Sequence, residues 1–142
     1  MKQDLTERVQ SVTFGNDSVV IVAHYSDIPG GRTLDTKGYP LTSILAGHVI
    51  IKSNEGVYKP MPIKKKGSVK EDGTQEYEYD TLPESHNYVG VLYRSILTSQ
   101  PAASIMDAGK VNISLVPYDM TTIKTAFEAS VKGILFTKDE EA

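Results

Sequence analysis

The sequence predicts a mainly β fold of the α+β kind: a compact β-barrel-like or β-sandwich-like domain with one C-terminal amphipathic helix. Three observations carry that expectation. Short apolar runs rich in valine and isoleucine recur at Val19–Ala23, Val49–Ile51 and Tyr88–Leu92, bounded by turn-forming residues. Val111, Ile113 and Leu115 alternate with Asn112 and Ser114, the period of a half-buried strand. One stretch near the end, Met120–Lys132, carries apolar residues at helical spacing: Met120, Ile123, Phe127 and Val131.

Residues 1–16 are polar, with a weak helical pattern at Leu5 and Val9. The five apolar residues Val19–Ala23 read as a strand covered on both faces. "SDIPGGRTLDTKGYP" is a turn-rich connector and places a boundary near residue 35. Val49–Lys52, the turn "SNEG" and Val57–Tyr58 form a β-hairpin, which Pro60 and Pro62 end or hold at an edge. Residues 64–87 are charged and contain Gly67 and Gly73, as an exposed loop or a protruding hairpin does. In "YVGVLYRSIL", Gly90 inside a strand marks a bulge or a close backbone approach. "PAASIMDAGKVNISLV" gives a short strand, a turn at Asp107-Ala108-Gly109 and a second strand. Pro117 closes that strand, Asp119 is placed to cap the helix and Gly133 to end it. "ILF" returns as a short strand, and residues 137–142 are a tail.

Composition excludes several functions. The 142 residues suit one domain, and an apolar content of 39% leaves part of the chain for loops or for order gained in an assembly. A net charge of −3 argues against a nucleic-acid partner, and the basic run Lys64–Lys66 is followed closely by Glu71, Asp72, Glu76, Glu78 and Asp80. With no cysteine there is no disulfide framework, Cys-based zinc site or thiol nucleophile. The first residues lack the apolar core of a signal peptide and no stretch is long enough to span a bilayer, so synthesis in the cytoplasm and no membrane partner are expected.

Candidate chemistry is sparse. His24, His48 and His86 do not pair at metal-ligand spacing and read as structural or surface residues. None of the serines sits in a nucleophile elbow. The carboxylates of 71–80 lie in polar sequence, where desolvation cannot tune them for acid–base work. "PGGR" is not followed by a helix signal, so a phosphate loop is not expected. Eight tyrosines offer contact area with a polar tip, as interfaces do. The expectation is a protein with no catalytic residue, cofactor or metal.

The order of the signals resembles a known family. "AGHVI", a turn, "GVYKP", a polar stretch, "YVGVLY", "AASIM", "AGKVN", a helix and "KGILF" follow one another between Leu45 and Phe136. This resembles the lambda-type head decoration proteins of tailed bacteriophages. The resemblance implies a β domain over 36–136 with an insertion at 64–87. It implies a homotrimer on the outer surface of the virion capsid that stabilises the expanded head, with the major capsid protein as partner and no enzymatic role. Residues 1–35 fall outside the pattern. They are expected to form an N-terminal arm whose strand residues Val19, Val20, Ile21 and Val22 bind a partner, the capsid, by strand addition, the alternative being that this strand pairs within its own domain. The alternatives are the trimeric base of a head or tail fibre, and a small ligand-binding β-barrel.

Overall fold

The structure, a computed structural model, describes residues 17–138. It is mainly β, built on an open sheet with no closed barrel, and is compatible with a sandwich-like domain. The weak helical pattern at Leu5 and Val9 lies outside the described residues, as do the last residues of the tail.

The central sheet contains β1 (Ile21–Asp27), β4 (Val49–Ser53), β5 (Tyr58–Pro60), β8 (His86–Leu92), β11 (Ile105–Asn112) and β12 (Gly133–Thr137). Its path runs β1-β11-β8-β4-β5. β11 is the organising strand. One edge pairs antiparallel with β1, from Ile21 opposite Val111 to Asp27 opposite Met106. The other edge is shared in series. β8 pairs antiparallel with Ile105 and Met106, and β12 then pairs in parallel with Ala108–Asn112. Three short ribbons complete the fold: β2 (Arg32–Thr33) with β10 (Ala102–Ala103), β3 (Ser43–Ile44) with β9 (Ile96–Leu97), and β6 (Ile63–Lys66) with β7 (Glu76–Tyr79).

Side-chain alternation divides the core in two. Val49, Ile51, Val91 and Met106 face the larger cluster, with Phe127, Met120 and Tyr79. Their neighbours Ile50, Leu92 and Ile105 face the smaller one, with Leu34, Ile44 and Ala103. The middle of the sheet is therefore covered on both faces, which is why Val49–Ile51 is an unbroken apolar run.

Helix α1 (Asp17–Val20) is a single turn, and α2 (Lys124–Ser130) covers the larger cluster. Phe127 is fully buried, its ring 5.7 Å from those of both Tyr88 and Phe136. The helical face was legible in the sequence; its length was not. Asp119 Oδ1 accepts from the Thr121 N–H and hydroxyl, and Met120 O accepts from both Ile123 and Lys124. Those bonds make a tight turn before the helix proper, so Asp119 does not cap α2. Val131 is already extended, so Gly133 opens β12 instead of ending the helix.

Other expectations are corrected by tertiary pairing. The expected turn at Asp107-Ala108-Gly109 is a bulge inside one continuous strand: β1 steps from Ser26 opposite Ala108 to Asp27 opposite Met106, leaving Asp107 unpaired. The Ser26 hydroxyl donates to Asp107 Oδ1 at 2.6 Å. The regular strand ends at Asn112, so Ile113 and Leu115 lie beyond it. Residues 64–87 include the expected protruding hairpin, exposed from Lys64 through Thr74 but rooted in the core. Ile63 and Tyr79 at its base are core residues, and the Tyr79 hydroxyl accepts from the Val49 N–H at 3.0 Å.

Gly90 meets both expectations. The β4–β8 register jumps between Ile50 opposite Gly90 and Ile51 opposite Tyr88, and a Cβ on Gly90 would collide with the Met106 carbonyl oxygen.

Candidate functional site

The four residues expected to bind a partner do not act as a unit. Val19 and Val20 belong to α1, and the strand begins only at Ile21. Val20 and Ile21 are buried in the chain's own core, whereas Val19 and Val22 are exposed. Pairing of β1 with β11 makes this segment part of the sheet, so the boundary near residue 35 does not set off a separate arm. The run breaks at Val20 because α1 is tied down. Asp17 Oδ2 accepts from the Ser95 N–H at 2.8 Å and Oδ1 from the Ser95 hydroxyl at 2.5 Å, while Ser95 Oγ accepts from the Ala46 N–H.

This knot brings together α1, the 45–47 turn and the segment after β11. Gly47 sits at its centre with φ 91°, and a Cβ there would lie 2.6 Å from Val20 Cγ1 and 3.3 Å from Pro117. Glycine is required on both counts. Val19, Leu45 and Leu115, from these three segments, are exposed. Farther along β1, the residues skipped at the two β1 bulges are Val22 and Tyr25, 52% and 60% exposed. Bulges interrupt the hydrogen-bonding row that an added strand needs, so this edge suits side-chain contact better than strand addition.

The most distinctive polar feature is His48, which is fully buried just ahead of β4. Its Nε2 lies 2.9 Å from the Met61 carbonyl oxygen. A carbonyl only accepts, so Nε2 carries the hydrogen and the neutral ring leaves Nδ1 bare. Nδ1 has no hydrogen-bond partner. Three phenol rings surround the imidazole edge-on: Tyr79 at 5.2 Å, Tyr118 at 5.6 Å and Tyr39 at 5.7 Å. Tyr39 and Tyr118 are hydrogen-bonded to each other. Burial lowers the His48 pKa to about 4, against a smaller upward effect of the Met61 bond. Burial likewise raises those of Tyr39, Tyr79 and Tyr118. All four rings are therefore neutral near pH 7.

The remaining candidates stay apart. His24 stacks on Tyr93 with ring centres 4.3 Å apart and lies 3.5 Å from Asp27 Oδ2. His86 Nδ1 contacts the Glu84 carbonyl. Among the described residues no three His, Asp or Glu side chains converge as a metal site would need. On the hairpin, the Thr74 hydroxyl and N–H hold Asp72 below the usual carboxylate range, and Glu76 pairs with Lys70. A hollow of about 70 Å³ lies between Tyr39, Pro40, Lys59 and Pro62. Among the described residues no helix is long and apolar enough to cross a membrane.

The Val20–Gly47 knot and the His48 box were not read from the sequence, because their members come from distant segments. One signal for the box was present: a histidine directly ahead of three aliphatic residues in "GHVII" has little chance of reaching solvent. Comparison with protein-family models, curated proteins and solved structures finds no match to this chain.

Proposed function

We propose that the chain is a structural virion protein of the head-decoration type, which binds the outer surface of a phage capsid as a homotrimer and stabilises the expanded head. One observation carries this reading. The stretches that resemble the decoration family fall, in order, on one sheet: "AGHVI" leads into β4, "GVYKP" into β5, "YVGVLY" lies on β8, "AGKVN" on β11 and "KGILF" on β12. The segment outside the pattern adds β1 to the free edge of β11. Exposed Val19, Val22, Tyr25, Leu45, Leu115 and Leu135 supply apolar area for adhesion. Binding by many copies, each touching several capsomers, multiplies weak contacts through effective concentration.

Two measurements test the proposal. Sedimentation velocity of the purified protein should give a trimer, or a monomer that becomes trimeric on capsids. Co-sedimentation with expanded capsids should saturate at a stoichiometry divisible by three. A protein that stays in the supernatant at all capsid concentrations is not a decoration protein.

A further inference from the structure

The geometry points to a proton-sensitive latch: a proton on His48 Nδ1 opens the aromatic box that fastens the β6–β7 hairpin and the Tyr39 and Tyr118 segments to the start of β4. The box joins five separate places in the chain. His48 precedes β4, Met61 lies between β5 and β6, Tyr79 ends β7, Tyr39 comes from the connector after β2, and Tyr118 follows β11. The neutral ring has one N–H, on Nε2, and Met61 accepts it. The protonated ring needs a second acceptor at Nδ1, and that atom has none.

No counter-charge is at hand. The groups facing His48 are the phenols of Tyr39, Tyr79 and Tyr118 and the Met61 carbonyl, and no carboxylate contributes to its titration. Asp119, next to Tyr118, is committed to Thr121. Tyr77, from β7, acts on Tyr118 and not on His48. A buried cation without a partner is relieved most cheaply by hydration, which here means opening the box.

The pH window follows from the two states. In the open state His48 titrates near its ordinary 6.5, and in the closed state near 4. Between those values the open state binds more protons, so the closed state loses stability as pH falls through the window. It recovers fully above it. Each pH unit is worth up to tenfold, so the ratio of open to closed rises on the order of a hundredfold across the window. The latch does not depend on what the protein binds.

The test is near-UV circular dichroism, which reads tyrosine packing, followed alongside far-UV circular dichroism from about pH 7.5 down to about pH 3.5. The wild-type protein should lose near-UV signal in this range while its far-UV signal persists. Amide exchange at Val49 and Asp80, whose N–H groups donate to Tyr79 and Pro62, should accelerate over the same range. His48→Gln should abolish this step, and His24→Gln and His86→Gln should keep it. A step that persists in folded His48→Gln overturns the latch. Should that variant not fold, proton NMR of the wild-type ring decides, with assignment from His24→Gln and His86→Gln. A His48 resonance that titrates near 6.5 with unchanged tyrosine packing overturns the proposal. A ring that stays neutral until the tyrosines move supports it.

Discussion

Two valine–isoleucine runs of similar composition have opposite fates. Val49–Ile51 lies in the middle of the sheet and is 0% exposed at all three residues, because ribbons and a helix cover both faces. Val19–Val22 is split between a helical turn and an edge strand, buried at two positions and open at two. The sequence suggests the reverse, a doubly covered strand at 19–23 and a hairpin arm at 49–52. Composition states how much apolar surface a run offers. Neighbouring strands and covering layers decide how much of it is used.

Deletion has the largest expected effect. Removing residues 1–31 takes away β1, uncovers one whole edge of β11 and strips Val20 and Ile21 from the core. The truncated chain should lose cooperative unfolding in urea or precipitate. A soluble truncated domain with a sharp transition would show that β1 is an appendage, as an anchoring arm would be.

Point substitutions separate the buried run from the open one. Ile51→Ala removes atoms from a fully buried site and should cost about 3 kcal/mol by chemical denaturation. Gly90→Ala, beside Ile50 on β8, drives a methyl into the Met106 carbonyl and should cost about 2 kcal/mol. A Gly90→Ala protein as stable as the parent would mean the β8–β11 spacing relaxes freely. Val22→Thr, at the exposed bulge of β1, should change stability by about 0.5 kcal/mol or less. If Val22→Thr leaves stability unchanged yet weakens capsid co-sedimentation, the exposed half of the run is the functional half.

Legibility followed the range of the interactions. The apolar run Ile134–Phe136 marks its strand although its partner β11 is distant, and the β4–β5 hairpin and the helical spacing around Phe127 are set by near neighbours and stand plainly in the sequence. So does the demand at Gly90, since glycine within an apolar strand needs a reason. The Asp107-Ala108-Gly109 signal was real but ambiguous. The same residues that close a turn also allow a bulge, and pairing with β1 from the far end of the chain selects the bulge. Helix length failed because the hydrogen bonds that Thr121 donates to Asp119 compete with the first helical turn, which periodicity does not detect. The His48 box was illegible because Tyr39, Tyr79 and Tyr118 lie on three segments with no common spacing.

The shared register of β11 has a consequence for chain engineering. Ile21 on β1 and Phe136 on β12 both stand opposite Val111, on its two sides. The chain therefore enters β1 and leaves β12 at the same end of one strand, two inter-strand spacings or about 10 Å apart. A linker that keeps α1 ahead of β1 can close that gap, and new ends can be opened at the exposed Glu55–Gly56 turn between β4 and β5. Such a circular permutant keeps every strand pair of the sheet.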